Sequence, residues 1–352
     1  MSEYTDINGV TTHKIIECRE FEINIDNSIE EQMKEVYEYC KDNINTIKTE
    51  IEKMYNMFVP YVADWAIYIL TYLFKNKILY LEEIDYYCKI FNMSRHKMLV
   101  IQLCYEVFSA CSTFTTNIND KTVMIRTMDW DLPCLKGSTY QMKAYKDGEY
   151  IYTATRFFGS VGIFTALTQN KIAVALNYRR TQDINIKSIL SNMYKTLKLY
   201  YPSSYLIRQV CEMNATFSLF VRYIKETHLI SPCYISISTP FTSMVITRDA
   251  ELGFDEYNSK YFIQCNCDRD KTEPNILWSN ERKEIITNTI KKNNNNFDSI
   301  ETLIKSFAIE PVLNFETIHV NVITNEDSEY KTFLYYGNKH TFIDEKYLHA
   351  RK

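Results

Sequence analysis

The sequence predicts a protein of the α+β class, because helical and extended patterns dominate different parts of the chain. Through most of the first 110 residues, apolar side chains recur every three or four positions, as on one face of an α-helix. From residue 111 onward, short runs rich in β-branched and aromatic residues alternate with turn residues and further helical stretches. This order favours helices packed on a mostly antiparallel sheet system.

The N-terminal third is predicted to be all helix apart from a short strand at 21–25. Ser28 and Glu31 have the spacing of a capping box, in which each side chain bonds the other residue's backbone amide. Apolar residues then keep helical spacing from Ile29 to Phe58, over roughly eight turns. Further helices are predicted at 61–75, 82–91 and 95–108.

The rest of the chain is predicted to alternate strands and helices. Asn119 and Asp120 indicate a tight turn between strands at 111–117 and 122–128. Other strands are predicted at 149–157, 162–168, 171–177, 232–238, 243–248, 316–324 and 331–336. The helices between them are predicted at 184–199, 202–212, 216–226, 280–291 and 298–307.

Composition excludes several classes of function. The chain has 352 residues, of which 46% are hydrophobic and 24% charged, as in ordinary globular proteins. Its net charge is −4 and no basic stripe occurs, which argues against nucleic acid as a partner. Only 7 glycines occur, without the spacing of a phosphate-binding loop, and the 10 cysteines lack zinc-site spacing. We therefore expect neither a metal nor a cofactor.

The location is predicted to be cytoplasmic or otherwise intracellular. The first residues, from Met1 to Asp6, contain neither a basic nor an apolar region, so no secretory signal is recognisable. The most apolar stretch, 58–74, contains Pro60 and Asp64 and is short for a membrane span. It favours a buried or interfacial helix.

Cys111 is the candidate nucleophile, because it stands where a strand is predicted to begin. If the chain were cut before it, its α-amine, with a pKa of about 8, could accept the thiol proton. A hairpin would bring Arg126 beside the sulfur, favouring the thiolate, and Asp129 beside the amine. On spacing alone, however, a buried core cysteine and a paired edge arginine are the favoured interpretation, since cysteine is among the most buried residue types.

Seven short segments carry a family resemblance, and they follow one another in the family's order. They are Tyr105–Ser112, Arg126–Trp130, Phe158–Gly162, Leu176–Arg179, Val245–Asp249, Gln264–Arg269 and Pro311–Asn314. Together they resemble the acid ceramidase and N-acylethanolamine-hydrolysing acid amidase family. These enzymes are N-terminal-nucleophile hydrolases, with bile-salt hydrolases and penicillin V acylases as more distant relatives. No single segment is decisive, but their combination is specific.

The resemblance implies an αββα sandwich, in which two antiparallel sheets lie between helical layers. It also implies that the chain cuts itself between Ala110 and Cys111. Residues 1–110 would then form a helical small subunit and residues 111–352 the catalytic subunit of a heterodimer.

The resemblance also implies a set of site residues. The catalytic group would be Cys111, Arg126, Asp129, Asn266 and Arg282, with Asn177 and Tyr178 in the substrate and oxyanion region. Asn266 would donate its side-chain amide to the oxyanion, beside a backbone N–H near Tyr178. Arg282 would be a second structural arginine linked to the hydrogen bonds of the nucleophile.

The activity implied is hydrolysis of the amide in an N-acylated lipid amine, such as ceramide or an N-acylethanolamine, through a thioester. The apolar stretch 58–74 would receive the acyl chain or touch a membrane surface. Each methylene of the acyl chain that is buried would contribute about 0.8 kcal/mol to binding. Tyr178 stands where the family has a glutamate, which bears on substrate preference and pH optimum. The family's disulfide cysteines have no counterpart here, which argues against the lysosomal location of its members.

Three alternatives stay open at this point. An acylase for bile salts or penicillin-type amides could use the same scaffold, and Tyr178 favours it slightly. A catalytically silent protein that binds lipid would keep the fold without cutting itself. A cysteine–histidine enzyme would pair Cys111 with a histidine, for which His319 is the best candidate.

Overall fold

The computed structural model describes residues 2–5, 11–58, 68–69, 72, 77–102, 110–179, 195, 200–270, 275 and 278–337. The helices predicted at 61–75 and 184–199, and the end of the one predicted at 95–108, fall largely outside these residues. The described helices are α1 Ile29–Cys40, α2 Ile44–Phe58, α3 Leu81–Phe91, α4 Arg95–Gln102, α5 Ser203–Glu212, α6 Phe217–Glu226, α7 Ser279–Lys292 and α8 Ile300–Phe307.

Sixteen strands occur in the described residues. The first eight are β1 Ser2–Thr5, β2 Thr11–Glu17, β3 Glu20–Asn24, β4 Ala110–Ile118, β5 Lys121–Asp129, β6 Thr139–Lys146, β7 Glu149–Phe157 and β8 Thr165–Thr168. The others are β9 Ala173–Tyr178, β10 Cys233–Ser238, β11 Ser243–Arg248, β12 Phe254–Asn258, β13 Ile263–Gln264, β14 Asn296–Phe297, β15 Thr317–Thr324 and β16 Glu329–Gly337.

The strands form two mostly antiparallel sheets. Sheet 1 has the order β1-β2-β16-β15-β5-β4-β13, with β14 paired to β4 off this path. Sheet 2 has the order β12-β11-β10-β9-β8-β7-β6-β3. Only β3 with β6 and β14 with β4 are parallel pairs among the described strands.

The two sheets face each other, and each carries helices on its outer side. Helices α1, α3, α5 and α6 bury residues such as Met33 and Phe220 in one apolar cluster with sheet 2. Helices α7 and α8 bury Ile286 and Phe307 against β4, β5 and β15 of sheet 1. Between the sheets lie a smaller apolar cluster and buried hydrogen bonds, including one between Thr155 and Thr332. The predicted αββα sandwich is confirmed.

The prediction of an all-helical N-terminal third is wrong for β1 and β2, whereas the short strand predicted at 21–25 is found as β3. Strand β2 pairs with β16 in sheet 1, and β3 pairs with β6 in sheet 2. In β3 the side chains of Phe21 and Ile23 are buried and their neighbours exposed, which is the alternation of a half-buried strand. The partners of these strands lie more than 100 residues away, so local periodicity could not reveal the pairing.

The helix predicted from residue 29 to 58 is interrupted. A single 3₁₀ turn, Lys41–Asn43, separates α1 from α2. The capping box at its start is confirmed, because the Ser28 hydroxyl accepts from the Glu31 amide and the Glu31 carboxylate accepts from the Ser28 amide. Among the described residues, no helix has the length and apolar character needed to cross a bilayer.

The hairpin of β4 and β5 positions the candidate nucleophile. Asn119 and Asp120 both have positive φ angles, of 48° and 65°, as a two-residue turn between twisted strands requires. The register places Cys111 opposite Met128 and Thr113 opposite Arg126. Strands β6, β12, β13 and β14 were not predicted; β13 and β14 have only two residues each, and β12 has no buried residue to give a pattern.

Candidate active site

Cys111 lies at the second residue of β4 and is completely buried. Strand β4 runs without a break through Ala110, so the nitrogen of Cys111 is a peptide amide in this chain. That amide donates to Oδ1 of Asn266 at 2.9 Å. The predicted cleavage point is therefore held by a side chain 155 residues further along the sequence.

Arg126 contacts the sulfur of Cys111 directly. It stands opposite Thr113 on β5, and residues two apart on a strand share a face, so its side chain lies on the side of Cys111. Nη2 donates to Sγ of Cys111 at 3.2 Å and to the carbonyl of Leu176 at 3.4 Å. Nη1 lies 3.1 Å from Nε2 of His319. A guanidinium in this position favours the thiolate form of the cysteine.

Arg282, in the first turn of α7, contacts the backbone of Cys111, the candidate nucleophile. Nη1 donates to the carbonyl of Cys111 at 2.7 Å and to the hydroxyl of Ser112 at 2.9 Å. Nη2 donates to Oδ1 of Asn266 at 2.8 Å and to the hydroxyl of Ser279 at 3.2 Å. One buried guanidinium thus orients both the backbone of the nucleophile and the Asn266 amide.

Asn266 is oriented so that its amide nitrogen can act as a donor. Its Oδ1 accepts from Cys111 N and from Arg282, which fixes the amide with Nδ2 on the other side. Nδ2 donates to the carbonyl of Tyr178 at 2.7 Å. An amide nitrogen has two hydrogens, so one N–H is left without a partner among the described residues. That N–H is suited to an oxyanion.

Asn177 links the two sheets beside the nucleophile. Its Oδ1 accepts from the hydroxyl of Thr113 at 2.7 Å, and its Nδ2 donates to the carbonyl of Gln264 at 2.9 Å. A longer contact of 3.5 Å reaches the carbonyl of Cys111. Asn177 therefore ties β9 to β4 and β13, and its contacts are those of a scaffold residue.

Asp129 lies opposite Ala110, one residue before the nucleophile. Its carboxylate accepts from the hydroxyl of Thr317 at 2.6 Å. Burial raises the pKa of Asp129 to about 6, although Arg282 and the Thr317 hydroxyl act in the opposite direction. A carboxyl group that titrates near pH 6 at the cleavage point could bind the amine which cutting would release.

The structure adds three residues that the sequence motifs did not include in the site. Ser112 and Ser279 anchor Arg282, and their only sequence signal is closeness to Cys111 and to the helix start. His319 was considered as a direct partner of the cysteine, but its Nε2 contacts Arg126. Burial and the charge of Arg126 hold its pKa well below the ordinary value.

A cavity of about 660 Å³ adjoins the segment that carries Asn266. Gln264, Arg179 and Asp268 line it, together with Tyr257 on β12 and Lys283 on α7. Within this lining, Arg179 donates from Nε to Asp268 at 2.8 Å. The side chains of the candidate catalytic group are not part of this lining.

The sequence is similar to those of several known proteins. The chain is 28% identical over 305 residues to an uncharacterised protein of Acanthamoeba polyphaga mimivirus, covering 85% of this chain and 94% of that one. It is 25% identical over 265 residues to the N-acylethanolamine-hydrolysing acid amidase of Mus musculus, covering 72% and 71%. Acid ceramidases are also among the similar proteins. No model of a protein family matches the sequence.

A solved structure supports the fold. The Caenorhabditis elegans orthologue of N-acylethanolamine-hydrolysing acid amidase superposes with a TM-score of 0.53 at 22% identity, over 62% of this chain and 95% of that one. The predicted resemblance to the acid ceramidase and acid amidase family is thus confirmed. The chain is related to hydrolases of amide bonds, which confirms the predicted enzyme class.

Proposed function

We propose that this protein is a cysteine amidohydrolase that cuts its own chain before Cys111 and then hydrolyses the linear amide of an N-acylated lipid amine. The observation that carries the proposal is the contact of Arg126 Nη2 with Cys111 Sγ, beside the Asn266 amide that Arg282 orients. The relatives named for N-acylethanolamine and ceramide hydrolysis supply the substrate class.

Self-cleavage would use the same nucleophile as turnover, but without the α-amine, which does not exist before the cut. The Cys111 thiolate attacks the carbonyl carbon of Ala110, the C–N bond breaks, and the nitrogen takes up the thiol proton. The resulting thioester is hydrolysed by water, which returns the thiol and leaves a carboxylate on Ala110. Asp129, opposite Ala110, then lies where it can bind the new α-amine.

In turnover the free α-amine of Cys111 acts as the base, since its pKa of about 8 lies close to neutral pH. The thiolate attacks the substrate carbonyl, and the oxyanion accepts the second N–H of Asn266. The substrate amine leaves with the proton held by the α-ammonium, and water resolves the thioester. One oxyanion donor contributes roughly 2.7–4 kcal/mol to transition-state stabilisation.

The proposal includes the form and location of the mature protein. Residues 1–110 and 111–352 stay together as a heterodimer, because β2 and β3 pair with strands of the later region. The apolar stretch 58–74 receives the acyl chain or meets a membrane surface. We place the protein in a reducing compartment inside the cell, because the nine cysteines that the structure describes form no disulfide bond.

The test is intact mass and N-terminal sequencing of the purified protein, beside Cys111→Ala. Scaled by length from 41.8 kDa, the fragments should have masses of about 13 and 29 kDa, and the larger should begin with Cys111. The variant should stay uncut. Cys211→Ala, which removes an equally buried thiol from α5, is the matched control and should be cut normally.

A substrate panel follows, with ceramide, N-acylethanolamines, bile-salt amides and penicillin V. Thiol-dependent release of a fatty acid from the lipid amides would support the proposal. Preference for the compact amides would indicate an acylase, and a single uncut chain without hydrolysis at neutral and acid pH would contradict it.

A further inference from the structure

His319 is buried beside the arginine that contacts the nucleophile. It lies on β15, opposite Met128 of β5, and is 1% exposed. Its Nε2 is 3.1 Å from Nη1 of Arg126. A guanidinium can only donate hydrogen bonds, so Nε2 must be the acceptor and the ring proton must be on Nδ1.

His319 is linked to the Cys111 sulfur through a single residue, Arg126. Nη1 of Arg126 contacts the imidazole of His319. Nη2 contacts the Cys111 sulfur and the Leu176 carbonyl. Of these three partners, the imidazole and the carbonyl are neutral acceptors, and the sulfur becomes anionic in the proposed reaction. An acceptor on Nη1 fixes the rotation of the planar guanidinium, and that rotation determines whether Nη2 reaches the sulfur.

The surroundings keep the imidazole neutral and in place. The ring of Phe157 lies 5.7 Å from the ring of His319, centre to centre, and restricts its tilt. Burial, followed by the charge of Arg126, holds the pKa of His319 well below its ordinary value, with Asn321 acting in the opposite direction. Among the described residues, two further ionisable groups lie near Arg126: the Cys111 thiol on β4, through its contact with Nη2, and the Tyr330 phenol on β16, whose pKa burial raises although the charge of Arg126 acts in the opposite direction.

We propose that His319 is a positioning residue, which as a neutral acceptor holds the Arg126 guanidinium with Nη2 on the sulfur of Cys111. It does not take the thiol proton itself. Its effect on rate rests on the proposed function, whereas its tautomer and its contact with Arg126 do not.

The first experiment measures the tautomer and needs no activity. In ¹⁵N-labelled protein, the ring nitrogens of His319 are assigned by their loss in His319→Gln. We expect Nδ1 to be protonated and Nε2 unprotonated, without titration between about pH 5 and 8. An Nε2–H tautomer, or a titration within that range, would overturn the proposal.

The second experiment compares two variants by the rate of self-cleavage before Cys111 across pH. His319→Leu removes this acceptor, and we expect cleavage to slow by about 10²-fold. The rising limb of the plot of cleavage rate against pH, here called the limb, should also move to higher pH. His319→Gln keeps an acceptor oxygen and should stay within several-fold of the unchanged protein, with the limb in place.

Equal slowing of both variants with an unchanged pH profile would indicate a merely structural role and reject the positioning role. Normal cleavage in His319→Leu would reject it too. If His319→Leu does not fold, the cleavage rate of His319→Gln and the measured tautomer of His319 test the positioning role instead. If the unchanged protein is never cut, the proposed function fails. The tautomer measurement still tests whether Nε2 of His319 accepts a hydrogen bond from Arg126.

Discussion

At the scale of single residues, the site depends on charged side chains that are fully buried. Arg126 and Arg282 are 0% and 1% exposed, and each donates to Cys111 and to residues close to it. Both positions need the planar fork of arginine, because a lysine ammonium cannot reach acceptors on two sides with fixed geometry. Burying these two charges costs free energy, and their hydrogen bonds orient Cys111 and Asn266.

Asp129 should make the stability of the protein depend on pH. Its folded pKa of about 6 lies above the unfolded value, so the folded state binds the proton more tightly. Its stabilising contribution is therefore complete below about pH 4 and is lost as the pH rises through 6. As the pH rises from 4 to 7, the free energy of unfolding of Asp129→Asn should therefore increase by roughly 2–3 kcal/mol relative to that of the unchanged protein.

Urea unfolding at several pH values measures this difference, with the exposed Asp131→Asn as the control. A constant difference between Asp129→Asn and the unchanged protein over that range would contradict the assignment. The measurement uses Cys111→Ala as the background, so that chain cutting does not affect the unfolding curves.

At the scale of elements, a buried ion cluster joins the N-terminal region to the part of the chain that follows residue 110. Glu83 on α3 accepts from Arg156 on β7 and from Arg208 on α5, both at 2.5 Å. Burial alone would raise the pKa of Glu83, but the two arginines outweigh it and hold that pKa below the ordinary value. The cluster therefore stabilises the contact above about pH 4 and loses its effect as the carboxyl group is protonated.

Glu83→Gln should be strongly destabilising, because it leaves two buried guanidinium groups without their counter-charge. We expect a loss of about 3–5 kcal/mol in the free energy of unfolding at pH 7. Glu82→Gln, on the exposed face of the same turn, is the matched control and should change it by less than about 0.5 kcal/mol. Urea unfolding checks both, and similar values for the two variants would show that the cluster does not hold α3.

At the scale of the whole molecule, the two predicted subunits share both sheets. Strand β2 lies between β1 and β16, and β3 forms the edge of sheet 2 beside β6. Cutting between Ala110 and Cys111 would leave these strand pairs intact. The architecture thus accommodates a break in the chain without exposing a large apolar surface.

The two fragments should consequently behave as one particle after cutting. In size-exclusion chromatography we expect them to elute together, at the position of uncut Cys111→Ala, and to separate only in denaturant. Elution as two species in native buffer would show that the strand pairs and the Glu83 cluster are too weak to hold the fragments.

Local patterns were sufficient for much of the fold. The capping box at Ser28, the turn at Asn119 and most strands of the catalytic region follow from periodicity and turn chemistry, which act between near neighbours. The family motifs also predicted Cys111, Arg126 and Asn266 as site residues, and the structure brings Arg126 and Asn266 into contact with Cys111.

Other features depend on residues that are distant in sequence. The pairing of β2 with β16 and of β3 with β6, the Glu83 cluster and the contact between His319 and Arg126 each join segments at least 70 residues apart. Such contacts form only when the sheets stack and bury their polar groups, which must then find partners in the interior. The sequence therefore predicted which groups are candidates for the chemistry, and the packing of the two sheets determines which atoms those groups meet.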